Sequence, residues 1–365
     1  MKNVFGNNIT VTLFGESHGE QIGAVLDGIA PGIEIDMEFI CKQLELRKPQ
    51  GKISTQRVET DEPHIVSGVF EGKTTGTPIC ILFENSNTKS KDYSKTKNLM
   101  RPGHADFTAI EKYHGFADYR GGGHFSGRIT TPIVAVGAIL IKALQNKGIY
   151  IGSHIQKCGP IKDRGFEDYA SDIAELNNKI FPVLDKKAAE EMHGLMVSAA
   201  EEGDSVGGVL ETVVTGIPSG VGEPWFDSME SMLAHALFSV PAVKGVEFGE
   251  GFHFADMKGS EANDAFEVKD GKVVTKTNHN GGINGGITNG MPIRFQTVVK
   301  PTASIYKKQE TVNIETMENE ILQIHGRHDP AIIPRARVVV DSMTAIVLAD
   351  MLAVRFGTDW LLGEN

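Results

Sequence analysis

One helix-length segment of the chain is apolar on nearly every side, and it constrains the fold more than any other feature. The segment TTPIVAVGAILIKALQNKG covers residues 130–148, with Pro132 near its start and Gly148 at its end. Proline at the start and glycine after the last turn are typical helix boundaries. A helix without a polar face must be covered by other elements on most sides. Its apolar stretch is too short to span a bilayer, so we expect a core helix.

Strand-like runs occur in blocks on both sides of that helix, and several alternate apolar with polar residues. Such alternation is typical of antiparallel sheets with one solvent-facing side. The predicted strands are 8–14, 22–29, 64–70, 77–84, 207–216, 291–299 and 336–341. Further helices are predicted at 184–203, 228–240, 315–326 and 342–357. Blocks of strands with interposed helices predict an α+β layered fold rather than a regular βαβ wind.

The length and the organisation of the chain favour one domain. The chain has 365 residues, which suffice for one large domain or two ordinary ones. The sequence shows no repeat of fixed period and no low-complexity linker. The most polar stretch, residues 84–98, indicates a long surface loop. We therefore predict a single domain over residues 1–365.

The composition excludes several classes of function. A formal net charge of -11, from 36 basic and 47 acidic residues, disfavours nucleic-acid binding. Three cysteines without metal-type spacing, and an N-terminus without a signal-peptide pattern, favour the reducing cytoplasm. The twelve histidines include no HExxH motif and no Cys/His quartet, so no metal site is predicted. We predict a cytoplasmic protein with no nucleic-acid partner and no membrane partner.

Four segments combine glycine with arginine, histidine, serine or aspartate. They are FGESHGEQIG (14–23), RPGHADFT (101–108), YRGGGHFSGR (119–128) and HGRHDPAIIPRA (325–336). Glycine lets backbone amides approach a ligand, and arginine binds phosphate or carboxylate through paired hydrogen bonds. Histidine can donate or accept a proton near neutral pH. The pattern predicts a pocket for a small, multiply charged anion, and it leaves the reaction and the cofactor open.

Ser17 and His18 are neighbours, which raises the possibility of a hydrolytic pair. Adjacent residues on an extended segment point to opposite faces. We therefore do not expect these two side chains to act together as nucleophile and base.

Together with further segments, these motifs closely resemble the chorismate synthase family. The resemblance runs along almost the whole chain and includes TLFGESHG, RPGHADFT, NHNGGINGGITNG, VKPTASI and GRHDPAIIPRA. It implies an α+β sandwich with helices between antiparallel β-sheets, assembled as a homotetramer. It also implies a carbon–oxygen lyase of the shikimate pathway, which serves aromatic amino-acid biosynthesis. Such an enzyme makes chorismate from 5-enolpyruvylshikimate 3-phosphate by anti-1,4-elimination of phosphate, with reduced FMN that is not consumed overall.

The resemblance assigns catalytic roles to four residues. His18 matches the histidine that protonates the reduced flavin, and His104 matches a second histidine near the departing phosphate. Asp329 matches an aspartate linked to proton handling at N5 of the flavin. Ser17 matches a residue that helps to place flavin and substrate.

Binding positions follow from the same resemblance. The substrate-binding residues are Arg47, Lys48, Arg101, Arg128 and Arg327. The cofactor-binding residues are Arg47, Lys52, His124, Phe125, Ser126, Ala242, Gly285, Lys300, Pro301, Thr302, Ala303, Ser304 and Arg327. Two of them, Arg47 and Lys52, also match positions associated with NADPH, a candidate reductant. No additional segment indicates a built-in reductase, so an external flavin reductant is expected.

The chain departs from the usual family pattern in the glycine segment. The common sequence GGGRSSARET is here GGGHFSGRIT, so His124, Phe125 and Ile129 replace arginine, serine and glutamate. In the basic run near the first helix, Leu46 and Lys48 stand where arginines are usual. If His124 contacts an anion, its charge depends on pH, and flavin or substrate should bind more weakly at high pH.

Two other functions stay open at this stage. A flavin-dependent oxidoreductase would consume hydride at each turnover, which a lyase does not. A flavin- or anion-binding protein without turnover is suggested by the altered glycine segment. The presence of Ser17, His18, His104 and Asp329 favours the lyase.

Overall fold

The computed structural model describes residues 2–49, 51–54, 60–85, 97–324 and 328–362, and of Lys52 only the backbone. Within that part of the chain the α-helices are α1 (Met37–Arg47), α2 (Asp106–Tyr113), α3 (Thr130–Asn146), α4 (Tyr169–Leu176), α5 (Lys186–Glu201), α6 (Met229–Phe238), α7 (Gly259–Ala262) and α8 (Ile333–Phe356). The strands are β1 (Val4–Phe5), β2 (Thr10–Gly15), β3 (Gln21–Asp27), β4 (His64–Ile65), β5 (Val69–Phe70), β6 (Lys73–Thr74), β7 (Ile79–Glu84), β8 (Tyr150–Cys158), β9 (Ile161–Lys162), β10 (Gly208–Thr215), β11 (Val243–Phe248), β12 (Phe266–Lys269), β13 (Lys272–Thr275), β14 (Ile283–Asn284), β15 (Ile287–Thr288), β16 (Ile293–Val299), β17 (Gln309–Asn313) and β18 (Glu318–Leu322).

Two five-stranded sheets form the outer layers of the protein. The first has the strand order β1-β2-β3-β7-β4 and the second the order β11-β16-β10-β8-β9. Every neighbouring pair in both sheets is antiparallel. The helix α3 packs on β2, β3 and β7 of the first sheet, and α8 packs on β8 and β10 of the second. Because α3 and α8 also pack on each other, the predicted α+β sandwich with helices between antiparallel sheets is confirmed.

The two central helices are in tight contact at Gly137. A Cβ atom built on this residue would lie 2.2 Å from Cβ of Ser342 and 2.6 Å from its Cα. Residues 130–141 of α3 are all buried, as the absence of a polar face requires. Contrary to the expectation that the apolar stretch is too short, the segment Gly127–Asn146 is long and apolar enough to cross a bilayer, but 89% of its qualifying 18-residue window is buried inside the protein. It is therefore a core helix.

One continuous apolar core includes residues of both sheets and of the central helices. The start of the chain is tied to this core by Asp350 of α8, which is fully buried. Its carboxylate accepts backbone N–H bonds from Asn7, Asn8 and Ile9 at 2.9, 2.7 and 2.9 Å. The description of residues 1–365 as a single domain stays a prediction.

Two of the predicted elements are wrong in type. The segment 336–341, predicted as a strand, lies inside α8. Its β-branched residues favour a strand locally, but burial between two sheets supports a long helix there, and packing overrides local preference.

Within the segment 315–326, predicted as a helix, residues 315–322 instead belong to the turn and second strand of the β17–β18 hairpin, and residues 325 and 326 lie outside the described residues. The side chain of Asn313 accepts backbone N–H bonds from Glu315 and Thr316 at 3.0 and 3.4 Å. Met317 adopts a left-handed φ of 57°. Side-chain-to-backbone bonds of this kind stabilise a turn in competition with a helix.

Two smaller predictions need adjustment. The predicted strand 64–70 is two short strands, β4 and β5, with Gly68 at a φ of 80° between them. A side chain at Gly68 would overlap Ile79, so only glycine permits this close crossing. Most of the predicted surface loop 84–98 lies outside the described residues.

The contact at Gly137 predicts a large effect of one methyl group. Gly137→Ala should lower the free energy of unfolding by about 1–3 kcal/mol, because the new Cβ overlaps the backbone of α8. The matched control is Gly194→Ala on α5, where a Cβ meets no atom within 4 Å. This control should raise stability by about 0.5–1 kcal/mol. Equal effects of the two substitutions in denaturant unfolding would contradict the close contact of α3 and α8.

Candidate active site

The glycine segment forms a tight turn immediately before α3. Gly121, Gly122 and Gly123 have φ values of 59°, 87° and 53°, a region that favours glycine. A Cβ built on Gly121 would lie 2.2 Å from Cε1 of His18, and one on Gly122 would lie 3.3 Å from Cε1 of His104. His18 and His104 come from two separate segments, and both therefore pack against this glycine turn, residues 121–123.

Ser17 and His18 lie in a turn after β2, and this turn is bound directly to the glycine turn. The backbone N–H of Ser17 donates to the carbonyl of Gly123 at 3.2 Å. Its hydroxyl lies 3.2 Å from the carbonyl oxygens of Arg120 and Gly121. The same hydroxyl is 3.2 Å from Nδ1 of His18. The expectation that the two side chains point to opposite faces is wrong, because the residues form a turn and not an extended strand.

His104 is held by a carboxylate two residues along the chain. Its Nδ1 lies 2.8 Å from Oδ1 of Asp106, which also pairs with Arg101 at 2.6 Å. Burial opposes ionisation of Asp106, but hydrogen bonds from His104 and Arg101 outweigh it and hold the pKa of this carboxyl well below its usual range. An ionised carboxylate accepts a hydrogen, so Nδ1 of His104 carries the proton. Nε2 is then the nitrogen that can face a ligand.

The residues that depart from the family pattern have partners within the protein. Nδ1 of His124 lies 2.8 Å from the carbonyl oxygen of Gly15 at the end of β2, so this nitrogen donates. The ring of Phe125 meets Tyr113 edge-on, with centroids 6.0 Å apart. Nε2 of His124 is consequently the nitrogen that could meet an anion.

Arg47, the last residue of α1, is directed into the protein. Its Nε donates to Oγ1 of Thr130 at 2.9 Å, and its Nη2 donates to the carbonyl of Gly127 at 2.8 Å. Its Nη1 lies 3.4 Å from the buried carboxylate of Asp61. All three nitrogens of this guanidinium thus donate to protein acceptors, and the residue is only 6% exposed.

Arg128 shares the same carboxylate. Its Nη1 pairs with Asp61, its Nε donates to Asn85 at 3.1 Å, and its Nη2 donates to the carbonyl of Glu84 at 3.1 Å. The hydroxyl of Ser126 accepts the backbone N–H of Arg128. The two arginines and Asp61 therefore form a buried cluster, called here the Asp61 clamp, that fixes the ends of β7, α1 and the glycine segment.

Positive charge exceeds negative charge around the Asp61 clamp. Burial is the main factor that lowers the pKa of Arg47, with repulsion from Arg335 and Arg128 in addition, and the resulting value is about 9. Attraction to Asp61 and Asp329 only partly opposes this shift. Such an excess of cations is stabilised by a bound anion.

Asp329 is held from the first turn of α8. Nη1 of Arg335 pairs with its carboxylate at 2.7 Å, and Nε of the same guanidinium donates to the carbonyl of Arg47 at 2.7 Å. Arg335 therefore connects Asp329 with the end of α1. Both α3 and α8 begin at this junction, and helix N-termini carry partial positive charge.

The predicted flavin segment lies next to the His104 loop. Nζ of Lys300 donates to the carbonyl of Gly103 at 2.5 Å, and a Cβ built on Gly103 would lie 3.4 Å from Ala303. The backbone N–H of Lys300 donates to the carbonyl of Ala242, whose φ is 73°. Oγ1 of Thr302 is buried and has no hydrogen-bond partner among the described residues.

Two predicted binding residues, Gly285 and Lys48, have their described contacts away from the glycine turn and the Asp61 clamp. Gly285 lies in the β14–β15 hairpin, and within the described chain that hairpin bonds to Val221 and Met229 beside the start of α6. A Cβ on Gly285 would meet no atom within 4 Å. Lys48, the residue after α1, pairs with Glu45 of that helix.

Two further predicted cofactor-binding positions are described, and two are described only in part or not at all. Pro301 is exposed and Ser304 is buried. The side chain of Lys52 and all of Arg327 lie outside the described residues. No cluster of three or more metal-binding side chains occurs in the part of the chain that the structure describes.

Three residues of the site were missed by the sequence analysis: Asp61, Asp106 and Arg335. Asp106 lies two positions after His104, and Arg335 lies within the glycine- and arginine-containing segment 325–336. A carboxylate or guanidinium within a few positions of a candidate catalytic residue could have identified both as residues of the site. Nothing in the sequence marks Asp61 as the partner of two distant arginines.

Comparisons with known proteins agree with one another. A family model described as chorismate synthase matches residues 9–353. The chain is 47% identical to a chorismate synthase of Thermococcus gammatolerans and 48% identical to one of Pyrococcus abyssi, over 96% of this chain and 97% of each relative. A crystal structure of chorismate synthase superposes with a TM-score of 0.76 at 28% identity, and the match covers 97% of this chain and 94% of that one.

The glycine turn predicts contrasting effects of two alanine substitutions. Gly121→Ala should lower the free energy of unfolding by about 1–3 kcal/mol, because its Cβ would overlap the ring of His18 at a strained φ. Gly127→Ala is the control, since a Cβ there meets no atom within 4 Å and its φ is not positive. Unfolding in denaturant measures both. An unchanged stability of Gly121→Ala would contradict the contact between the glycine turn and His18.

Proposed function

The chain belongs to the chorismate synthase family, and on that premise we propose that it is a lyase that converts 5-enolpyruvylshikimate 3-phosphate to chorismate. The reaction is an anti-1,4-elimination that releases phosphate and removes a ring hydrogen. The observation that carries the proposal is the position of the two histidines: His18 lies against Gly121 and His104 lies against Gly122. Nη2 of Arg101 lies 3.1 Å from Nδ1 of His104, and the residues around Arg47 carry more positive than negative charge.

The charges of the site suit this substrate, which has two carboxylates and one phosphate. Binding such an anion in a partly dry pocket requires several cations. We propose that Arg101 and Arg327 contact the substrate. Arg47 and Arg128 contribute positive charge and hold the surrounding backbone, because their nitrogens already donate to Asp61 and other protein groups.

The orientation of His104 suits protonation of the departing phosphate. Asp106 accepts the hydrogen of Nδ1 and leaves Nε2 on the side of the glycine turn, where a Cβ built on Gly122 would lie 3.6 Å from it. A general acid must present a protonated nitrogen to the leaving group within hydrogen-bond reach. We propose that His104 carries a proton on both nitrogens before transfer: Asp106 holds Nδ1–H, and Nε2–H gives its proton to the departing phosphate.

Two further residues handle protons in this proposal. His18 is held by the hydroxyl of Ser17, which is itself tied to the glycine turn, so its ring position is fixed. Asp329 is oriented by Arg335 at 2.7 Å. We propose that His18 holds a proton beside the flavin and that Asp329 exchanges one near N5 of the flavin.

The residues of the site fit reduced FMN. Lys300 offers a cation, the hydroxyl of Thr302 is buried without a partner among the described residues, and the backbone bond from Lys300 to Ala242 holds the two segments together. A phosphate monoester requires such donors. We propose that FMN is held by residues His124–Ser126, Ala242, Lys300–Ser304 and Arg327, and that Gly285 contributes from the separate β14–β15 hairpin. When bound, reduced FMN supplies transient electron density, which allows loss of a hydrogen from an unactivated carbon.

FMN must be reduced before it can act, so the proposal includes a reductant. We propose that an external reductant supplies reduced FMN. The alternative is that the protein itself reduces FMN with NADPH, because Arg47 and Lys52 match positions associated with NADPH in the family. Anaerobic bleaching of FMN by NADPH with the purified protein alone would contradict the need for an external reductant.

We further propose that the protein is cytoplasmic and assembles as a homotetramer. Large aromatic side chains at Trp225, Phe226 and Phe252 are 84–89% exposed in the single chain, as expected of residues that become covered in an assembly. Sedimentation equilibrium measures the assembly, and a mass near that of one chain would contradict it.

Turnover with reduced flavin tests the lyase. Anaerobic protein with dithionite-reduced FMN and 5-enolpyruvylshikimate 3-phosphate should release chorismate and phosphate in equal amounts, with the flavin still reduced. His18→Ala and His104→Ala should each lower kcat by about 10²–10⁴-fold, the usual contribution of a general acid or base. His253→Ala is the control, because that side chain is 62% exposed.

Other results of the same turnover experiment would indicate one of the two alternative functions. Net oxidation of the flavin with each turnover would indicate a flavin-dependent oxidoreductase. Tight flavin binding without chorismate would indicate a binding protein without turnover.

The position of His124 predicts a contribution to FMN binding. Nδ1 of His124 donates to the carbonyl of Gly15, so Nε2 is the nitrogen that would meet the flavin phosphate. His124→Leu should then weaken FMN binding by up to about tenfold, because a hydrogen bond to a charged group is lost. His124→Arg is the control, since its guanidinium can still bind the phosphate. Equal Kd values of the wild type and His124→Leu, measured by flavin fluorescence, would rule out the contact.

A further inference from the structure

A third histidine lies beside the site and has no assigned role. His328 precedes Asp329, and its ring centroid lies 5.7 Å from that of Tyr306. Its Nε2 is buried and has no hydrogen-bond partner among the described residues. A buried polar atom without a partner is uncommon in folded proteins, and it requires a physical explanation.

The surroundings of His328 determine its charge. Burial is the main factor that lowers the pKa of His328, and the neighbouring Arg101 and His104 lower it further, while Asp329 opposes them. The imidazole is therefore neutral at pH 7. It can donate or accept a hydrogen bond, but it does not add a cation to the site.

Leaving Nε2 unpaired in the empty protein is unfavourable, because the nitrogen has lost water and gained no partner. The cost disappears if a ligand supplies the missing partner. Arg101 and His104, which also lower the pKa of His328, are the residues that we place at the substrate and its phosphate. An anionic oxygen of the substrate is the acceptor that these neighbours attract.

We propose that His328 is a substrate-contacting residue whose Nε2–H donates a hydrogen bond to a carboxylate or phosphate oxygen of the phosphorylated substrate, beside Arg101. This inference rests on the proposed function. It adds a neutral donor to the cations that hold the substrate. A neutral donor selects for the position of an oxygen, whereas a cation attracts negative charge from any direction.

Three substitutions distinguish a ligand contact from a structural role. His328→Leu removes the polar atom and keeps the bulk. In His328→Gln, the amide nitrogen reaches the position of Nε2, and in His328→Asn it reaches only that of Nδ1. The measurements are the Kd of 5-enolpyruvylshikimate 3-phosphate by calorimetry in the presence of oxidised FMN, the Kd of FMN by fluorescence, and Tm of the empty protein.

The expected pattern is specific. His328→Leu and His328→Asn should weaken substrate binding by about tenfold or more, and His328→Gln by no more than about threefold. The Kd of FMN should stay within about twofold. The Tm of empty His328→Leu should be unchanged or higher, because an unpaired buried nitrogen has been removed.

A lower Tm of empty His328→Leu with unchanged substrate affinity would show a structural role and overturn the proposal. Equal substrate affinity of all three variants and the wild type would also overturn it, and the lyase would still stand. Substrate binding by the wild type without chorismate formation would defeat the lyase and leave the comparison of variants valid. A wild type that does not bind the substrate would overturn both proposals.

Discussion

The architecture of the site depends on one buried guanidinium, that of Arg47. It ends α1, donates to Thr130 at the start of α3, and its backbone carbonyl accepts from Arg335 in the first turn of α8. A buried cation is tolerated only when its hydrogen bonds are satisfied, so these partners fix the ends of three helices relative to one another. Because α3 and α8 both begin here, their positive ends and the arginines concentrate charge where the anionic substrate is proposed to bind.

The departures from the family pattern are accommodated by packing. Leu46 and Ile129, which stand where arginine and glutamate are usual, are both buried in the core. Phe125 packs against Tyr113, and His124 donates to the backbone at the end of β2. The glycines at 121–123, whose positive φ values no other residue adopts easily, are unchanged. The chain has therefore altered side chains around the turn and preserved the backbone that carries His18 and His104.

The sequence predicts the fold well where pattern and burial agree. The all-apolar helix and the alternating strands led to the observed layers. The predictions failed where packing or a local turn decided, at the strand assigned to 336–341 and the helix assigned to 315–326. At the site, residue types identified the histidines and arginines, but partner choice depends on contacts between distant segments. Nothing along the chain indicates that Arg47 and Arg128 share Asp61, or that Ser17 and His18 point the same way.

The proposed chemistry depends on how the histidine rings are oriented as well as on their presence. Nδ1 of His18, His104 and His124 is held respectively by a serine hydroxyl, a carboxylate and a backbone carbonyl. The carboxylate and the carbonyl can only accept, so they place a proton on Nδ1 of His104 and His124, whereas the hydroxyl of Ser17 fixes the ring position of His18 without deciding its tautomer. A related chain could keep all three histidines and still present the wrong nitrogen if Asp106 were lost. The acceptors behind the rings are thus as much a part of the proposed chemistry as the rings themselves.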